Sequence, residues 1–455
     1  EKAYPGNGKP DVGRLCKLDL RSGKVTVLLD AGGGTVRDPV VHYDARKILF
    51  SLRKAESDFF HLYEIGVDGR GLRQLTDGGF DDIEPEYLPD GDIVFVSTRC
   101  KRWVNCWKTQ VATLYRCRAD GSGIRSISSN IEHDNTPAIL PDGRILYTRW
   151  EYVDRSQIGY HHLWTIHPDG TGQMTFHGNQ RHYPLFIGAR AVPGTRLVAG
   201  IVAPGHGRRD HYGFITVFRE ANGPDADAGI RRIKTKQPVT DPWPFTVDCF
   251  LVARGREIVV VDGQGRTEVL HTSPHMVFEP RPVVARPREP VLQPRGTGKG
   301  EAGQLVLADV YRGRGMDGVE HGEIKKLLVL ESLPKPVNFS GGPDLTSWLG
   351  TFTLERVLGT VPVEEDGSAN FTVPAHRAVF FVALDGNDRS VKRMQSFTSV
   401  MPGEITSCVG CHEDRATVGA SPPLGSLQAL TRPPSEIAPF TGQPDVLDFH
   451  RDVQP

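Results

Sequence analysis

The feature that most constrains this chain is a short hairpin that recurs along its first half. Residues 62–69, 114–121 and 163–170 align with one another, and each ends in an Asp-Gly pair. The pairs begin at Asp68, Asp120 and Asp169, so they lie 52 and then 49 residues apart. Asp-Gly favours a two-residue hairpin because type I′ turns need positive φ at both central positions. Each turn therefore predicts two paired strands.

A second repeated segment interleaves with the first. Apolar triplets at residues 48–50, 93–95 and 145–147 each follow a turn, weaker copies lie at 184–199 and around 243–251, and residues 257–269 add a further hairpin. A period of about 50 residues that holds four short strands is typical of the blades of a β-propeller. We therefore predict an all-β chain that begins with a propeller of six blades, give or take one, over residues 1–285. A sandwich of unrelated hairpins is the alternative.

The sequence changes character after residue 280. Five prolines fall between Pro280 and Lys299, which predicts a linker over residues 286–300. Strand-like segments with a further Asp-Gly turn predict a small antiparallel β domain over residues 301–405. A short cofactor-binding segment is predicted over residues 406–455.

Composition excludes several classes of protein. The chain has 54 Lys+Arg against 55 Asp+Glu, so it lacks the basic excess of a nucleic-acid binder. Its apolar runs, such as residues 378–384, are far shorter than the roughly 20 residues of a membrane-spanning helix. A chain of 455 residues can bury a full core without disulfides to stabilise it, so its seven cysteines need another explanation.

The sharpest motif is Cys408-Val409-Gly410-Cys411-His412. Cys-x-x-Cys-His is a sequence at which haem c is attached: the two thiols add to the haem vinyl groups and the histidine is placed to bind the iron. A thioredoxin-like pair would need a βαβ setting, and a zinc site would need a second Cys-x-x-Cys; neither is found. We therefore predict covalent haem c held by Cys408, Cys411 and His412. Its maturation outside the cytoplasm predicts a periplasmic or otherwise exported protein.

Other candidate residues lie in the propeller. Three arginines, Arg53, Arg99 and Arg149, recur just after the inner strands, where they would either line an anion-attracting channel or form salt bridges between blades. His206 and Asp210 lie in a glycine-rich segment that would suit an active-site loop.

Two further cysteines, Cys100 and Cys106, follow a strand of one blade. In an oxidising compartment the ordinary expectation is a disulfide. A metal-ligand role and free thiols are the alternatives.

The blades, residues 98–107, residues 359–374 and residues 402–412 together resemble the alpha subunit of hydrazine synthase and related haem-c propeller proteins, over nearly the whole chain from about residue 10. The resemblance implies a six-bladed propeller with a haem domain packed against it. It implies that a haem joins two nitrogen atoms into hydrazine. It also implies a proximal tyrosine shortly after the haem motif, and a zinc ion bound by the motif histidine and a propeller cysteine.

The sequence departs from that pattern because no tyrosine lies between His412 and Pro455. We therefore expect His412 to bind iron in the usual way, and any zinc to take Cys100 or Cys106. Hydrazine synthesis is not carried over. Residues 449–455 look like the lead-in to a second haem-binding segment, so we expect the chain to be cut from a longer one.

Two functions remain open from the sequence. In one, the haem transfers electrons to a redox partner protein or to a further haem domain C-terminal to this chain. In the other, an open iron position catalyses chemistry on a small nitrogen or oxygen compound, with Arg99, Arg149, His206 and Asp210 as the first residues to test. A haem-free propeller that binds a small molecule or a protein is a third possibility.

Overall fold

The computed structural model describes residues 13–153, 155–178, 184–205, 212–219, 223–226, 230–313, 315–335, 338, 354–411 and 424–440. These residues form strands and short 3-10 turns, and none of them lies in an α-helix. The all-β prediction is confirmed.

Five four-stranded antiparallel sheets follow one another along the chain, and we call them blades 1 to 5. In every blade the four strands are ordered as in the sequence. A two-stranded sheet precedes blade 1. The strands are β1 Arg14–Leu18 and β2 Val25–Asp30; in blade 1, β3 Thr35–Val41, β4 Lys47–Arg53, β5 His61–Gly66 and β6 Arg73–Gln74; in blade 2, β7 Asp82–Tyr87, β8 Ile93–Ser97, β9 Thr113–Cys117 and β10 Arg125–Ser126; in blade 3, β11 Asp134–Ile139, β12 Ile145–Val153, β13 Ser156–Ile166 and β14 Met174–His177; in blade 4, β15 Leu185–Ala191, β16 Leu197–Ala203, β17 Phe214–Arg219 and β18 Arg231–Ile233; in blade 5, β19 Thr240–Thr246, β20 Cys249–Arg254, β21 Glu257–Asp262 and β22 Thr267–Thr272.

The predicted Asp-Gly turns join the two outer strands of blades 1, 2 and 3. Gly121 shows why glycine is needed there. Its φ is +88°, and a Cβ at this position would collide with the carbonyl oxygen of Leu75 in the preceding blade. The same turn that reverses the chain therefore also lets neighbouring blades approach each other.

The core lies between adjacent blades. Residues of blades 2 and 3, such as Val94, Leu114, Ile145 and Ile166, form one buried apolar cluster. Every residue of β8 is buried, because the blade packs against a neighbour on both faces. That is why these strands are continuous apolar runs in the sequence, and each large side chain so buried contributes roughly 1.5–3 kcal/mol.

The innermost strands share a backbone irregularity that defines a ring around the central channel. One residue in each of β3, β7, β11, β15 and β19, and one residue after β22, has a φ between +51° and +63°. Each of the five strands has a register shift at that residue. We call these six residues the channel ring: Asp38, Glu84, Thr136, Gly188, Asp241 and Glu279.

Side chains of the channel ring accept hydrogen bonds from the main chain of the next ring residue. The acceptor–donor pairs are Asp38 to Glu84 N–H, Glu84 to Thr136 N–H, Thr136 to Gly188 N–H, Asp241 to Glu279 N–H, and Glu279 to Asp38 N–H. The last pair, with 2.7 Å between Glu279 Oε2 and Asp38 N, joins the end of the propeller to its beginning. Gly188 has no side chain, so it alone does not contribute an acceptor.

The ring has six positions, although the described residues form five four-stranded blades. The sixth position belongs to Glu279, which follows the last strand of blade 5. The sheet β1–β2 packs Leu15 and Leu28 against the apolar residues of blade 1. Residues 257–269, expected as a further hairpin, are outer strands of blade 5.

The proline-rich segment that follows has no regular secondary structure between β22 and residue 302. Its main chain and side chains contact successive blades. Arg286 N–H donates to Tyr43 O in blade 1, Arg288 to Pro89 O in blade 2, and Arg295 N–H to Asp169 in blade 3. The segment is therefore held against the propeller along its length.

The remaining strands form two sheets. Their order is β26-β23-β29 in the first sheet and β25-β24-β27-β28 in the second. The strands are β23 Ala302–Asp309, β24 Lys326–Leu333, β25 Leu354–Pro362, β26 Ala369–Pro374, β27 Val379–Leu384, β28 Ser390–Arg393 and β29 Ile405–Gly410.

The strands within residues 301–404 pair antiparallel, as expected, and the next strand, β29, joins their sheet parallel to β23. Parallel neighbours need a long connection between them, and here the chain crosses over residues 394–404 along the propeller before it enters the sheet.

The closing hydrogen bond of the channel ring makes a stability prediction. Glu279→Ala removes the acceptor and leaves Asp38 N–H without it, so we expect the free energy of unfolding in urea to fall by about 1–3 kcal/mol. Glu279→Gln keeps a carbonyl oxygen there and should recover most of the loss. Glu268→Ala, on the exposed outer strand β22, should change little. Equal losses in the Ala and Gln variants would contradict this role.

Candidate functional site

The structure describes the two cysteines of the Cys-x-x-Cys-His motif. Cys408 lies in β29, opposite Leu307 of β23, and is exposed. Cys411 follows the end of that strand, is half-buried, and packs against the core of the same domain. Cys411 N–H donates to Arg312 O at 2.6 Å, which anchors the second thiol. His412 lies outside the described residues.

Gly410 separates the two parts of the motif. A Cβ at this residue would collide with the carbonyl oxygen of Arg312 and come within 3.0 Å of its carbonyl carbon. The Val-Gly spacer thus allows the chain to pass close to Arg312 and to turn out of the sheet. The motif lies at a strand end, with one thiol at the surface and one held against the core.

Arg99 is part of an ion pair within blade 2. Its Nη2 lies 2.8 Å and its Nε 3.1 Å from the two carboxylate oxygens of Asp82, in the first strand of the same blade. Ser97 also donates to Asp82, and Phe80 covers the guanidinium. Against the effect of burial, His61, Arg99 and Ser97 lower the pKa of the buried Asp82 carboxyl. Arg99 therefore holds the blade together.

Arg149 is fully buried between blade 3 and the second domain. Its Nη2 lies 3.2 Å from Glu151 in the same strand. The guanidinium lies between the rings of Trp164, at 4.2 Å, and Phe397, at 4.3 Å. A buried guanidinium between two aromatic rings fixes the contact of the two domains rather than a ligand.

Arg99 and Arg149 each pair with a carboxylate of their own blade, so these two ion pairs do not join blades. Neither arginine is among the residues that line the cavity in the centre of the propeller. Arg53 lies against Phe60 and donates to Thr35, also within its blade. The other two predicted residues, His206 and Asp210, lie outside the described residues.

Cys100 and Cys106 lie in the long loop between β8 and β9. All seven cysteines of the chain are described, and none is in a disulfide, so the expected bridge is absent. Cys100 Sγ donates to Val111 O at 3.1 Å. Both cysteines pack against Trp150 and Tyr152. Burial raises the pKa of both thiols, that of Cys106 to about 12 with a further contribution from Glu132.

Glu132 beside Cys106 is a buried acid that sequence reasoning missed. Its Oε1 accepts from Asn105 N–H at 3.0 Å, whereas its Oε2 is buried without a hydrogen-bond partner. Burial raises its pKa to about 8, against the effects of the Asn105 N–H and of Lys335. Lys335 reaches this place because its carbonyl accepts from Trp103 N–H, which ties the second domain to the loop. The sequence Glu132-His133-Asp134 was the signal available, but burial cannot be read from it.

Trp150 lies next to Cys106 at the domain interface. Its ring is stacked between those of His133, at 5.9 Å, and His161, at 4.9 Å. The neighbouring Glu151 accepts from Ser396 of the second domain. Blade 3 therefore supplies the aromatic and ionic contacts on which the second domain rests.

Within the described part of the chain, no three His, Cys, Asp or Glu side chains are grouped as metal ligands. Nor do the described residues include a helix long and apolar enough to cross a membrane. The zinc site expected at Cys100 or Cys106 therefore stays a prediction, because the described residues do not form a set of ligands around either cysteine. His412, the other expected ligand, lies outside the described residues.

The fold and the position of the motif define a class: a β-propeller followed by a small β domain that carries Cys-x-x-Cys on its edge strand. A family model described as the hydrazine synthase alpha subunit middle domain matches residues 322–413, which include both cysteines. Hydrazine synthase from Kuenenia stuttgartiensis has a similar structure, with a TM-score of 0.75 and 17% identity over 94% of this chain and 70% of that one. The chain therefore resembles the hydrazine synthase alpha subunit.

Other propellers align less well. TolB from Acinetobacter baumannii aligns with a TM-score of 0.44 and 13% identity over 58% of this chain and 60% of that chain. The putative TolB from Agrobacterium tumefaciens aligns with a TM-score of 0.40 and 14% identity over 56% and 86%. No curated protein matched the sequence.

The raised pKa of Glu132 predicts a dependence of stability on pH. The folded protein keeps the proton up to about pH 8, whereas the unfolded chain loses it near the ordinary pKa of 4.5. The stability that the neutral carboxyl provides is therefore complete below about pH 4.5 and declines as the pH rises to about 8. We expect Glu132→Gln, which is always neutral, to exceed the wild type in unfolding free energy at pH 8 by a margin that vanishes near pH 5. An identical pH profile for the two proteins would contradict this assignment.

Proposed function

We propose that this chain is an exported c-type haem protein in which Cys408 and Cys411 hold the haem and His412 binds its iron. The observation that carries the proposal is the Cys-x-x-Cys-His motif at the end of an edge strand. When bound, haem c supplies one-electron redox chemistry and, where an axial position is open, binding of a small molecule.

The described residues fit a thioether-linked group. Cys408 is exposed, Cys411 is half-buried, and neither cysteine is in a disulfide. Arg312 O fixes the main chain of Cys411, and the missing Cβ of Gly410 leaves room for that contact. In the closed domain these contacts hold the main chain of Cys411 against the domain core, next to where the group would sit. Export follows from the same proposal because such linkages are made outside the cytoplasm.

The function that we put first is electron transfer, to a redox partner protein or to a haem domain beyond residue 455. It needs both axial positions of the iron to be filled and no substrate site. The structure supports this choice indirectly, because Arg99 and Arg149, the first residues proposed for catalysis, are engaged in structural ion pairs.

The second candidate is a haem oxidoreductase that acts on small nitrogen compounds. The resemblance to the hydrazine synthase alpha subunit favours it. Against it, the chain has no tyrosine after the motif up to residue 455, so that the proximal ligand of the family pattern is missing. Nothing indicates a nucleic-acid partner.

We keep zinc as a proposal and assign it to Cys106 rather than Cys100. Cys100 Sγ already donates to Val111 O, whereas Cys106 lies beside the unpartnered Oε2 of Glu132. A sulfur and a carboxylate oxygen are both zinc ligands. Together they supply two of the four ligands that a zinc site needs.

The haem is tested by expressing the chain with a haem-c maturation system and measuring the pyridine haemochrome. We expect covalent haem in the wild type, loss of covalent haem in Cys408→Ser/Cys411→Ser, and full retention in Cys16→Ser, since Cys16 is an exposed cysteine far from the motif in sequence. Wild-type protein without covalent haem would overturn the proposal and leave a haem-free propeller.

The same protein separates the two candidate functions. A low-spin ferric spectrum that does not change on addition of nitric oxide or hydroxylamine would support electron transfer. A high-spin spectrum that shifts with either compound would instead support the oxidoreductase.

A further inference from the structure

A cavity of about 50 Å³ lies in the central channel of the propeller, remote in the fold from the strand that carries the haem motif. All six residues of the channel ring line it, together with Arg190 and Arg281. From these residues we infer that the cavity binds a small planar monovalent oxyanion of three or four non-hydrogen atoms, of the carboxylate or nitrate type, on the Arg281 guanidinium.

Arg281 is the reason to expect an anion. Its Nε is fully buried and has no hydrogen-bond partner. Its Nη1 reaches only two carbonyl oxygens, Pro280 O at 3.2 Å and Asp241 O at 3.4 Å. Among the described residues, no carboxylate forms an ion pair with it. A buried guanidinium without an anionic partner is costly, so an anion that supplies one gains that free energy on binding.

Arg190 adds a second positive charge on the same side of the cavity. The guanidinium groups of Arg190 and Arg281 lie over the ring of Trp243, at 5.1 and 5.5 Å. Burial and the charge of Arg190 lower the pKa of Arg281 to about 10, against the attraction of the Glu279, Asp241 and Glu86 carboxylates, none of which is in ion-pair contact with it. Arg190 has a carboxylate partner in Glu86, which Arg286 shares. Both guanidinium groups thus lie over the Trp243 ring, but only that of Arg190 forms an ion pair with a carboxylate.

Gly188 provides the space. The other ring residues place a side-chain oxygen in the channel, but at Gly188 an added Cβ would meet no atom within 4 Å. An oxygen of a bound anion would take the place of the missing sixth acceptor. The volume is enough for a few atoms, and the flat fork of a guanidinium matches a planar oxyanion.

The carboxylates of the ring limit the charge of the ligand. Asp38, Glu84, Asp241 and Glu279 face the same cavity. Arg37 neutralises part of this charge by pairing with Asp38 and Glu84, and burial raises the pKa of Glu84 to about 7, so that it is partly protonated at neutral pH. The remaining negative charge disfavours dianions. The site should therefore prefer formate or nitrate to sulfate.

The test is a thermal denaturation of the full-length chain in formate, nitrate or sulfate, at constant ionic strength set with gluconate, which is too large for the cavity. We expect the midpoint to rise with formate and nitrate and to saturate, because a ligand that binds only the folded state stabilises it. Sulfate should require at least a tenfold higher concentration. If only formate raised the midpoint, the natural ligand would be a carboxylate. If only nitrate raised it, the ligand would be an inorganic oxyanion.

Two variants locate the site. Arg281→Gln should abolish the saturable shift, whereas Arg288→Gln, which changes an exposed arginine outside the cavity, should keep it. Gly188→Asn keeps Arg281 and fills the gap, and should weaken binding at least tenfold even if Arg281→Gln does not fold. An unsaturable response in the wild type, equal responses to sulfate and formate, or undiminished binding by Gly188→Asn would overturn the inference.

Discussion

Hydrogen bonds around the channel ring determine how the propeller closes. Buried main-chain N–H groups must be paired, and here five of them are paired by a side chain from the preceding ring position. Because the donor in each pair is a residue with positive φ, the backbone irregularity and the contact between blades depend on each other. The blades are thus joined head to tail by directional bonds, in addition to the non-directional apolar contacts between their faces.

The ring also sets the position of the second domain through one strand. Thr148 in β12 lies beside the ring residue Thr136, with 3.3 Å between their hydroxyl oxygens. The next three residues of the same strand, Arg149, Trp150 and Glu151, contact Phe397, the stacked histidines and Ser396. A strand that is buried along its whole length therefore connects the axis of the propeller to the segment between β28 and β29 of the second domain.

Repeats and turn chemistry made most of the fold predictable. The Asp-Gly pairs identified the outer hairpins because the need for a glycine at positive φ is local, and Gly69, Gly121 and Gly170 meet it. The expected type I′ geometry is wrong, since the three aspartates do not have positive φ. The channel ring was not predicted, although five of its six residues precede a proline or form part of an x-Pro step in the repeat, since a hydrogen bond between blades depends on packing. The parallel pairing of β29 was missed for a related reason: it follows from the path of residues 394–404 along the propeller, which no pattern within the strand records.

The parts of the site whose residues lie close together in the sequence were predictable. The cysteines of the motif were identified from their spacing, whereas Glu132 and Lys335 come from segments about 200 residues apart and meet only at the domain interface. The ion-pair partners of Arg99 and Arg149 were not predictable, because a repeated arginine looks the same in the sequence whether its partner is a ligand or a carboxylate in its own blade.

The position of β29 at the edge of its sheet affects how easily this strand separates from the rest of the domain. Among the described residues it is the most C-terminal strand, and there it pairs only with β23, along one of its sides. An edge strand of this kind can detach without breaking the pairing of any other strand, so it belongs to the part of a domain that opens at the lowest free energy. Opening of β29 would therefore expose both cysteines while the pairing of the other described strands of the second domain stays intact.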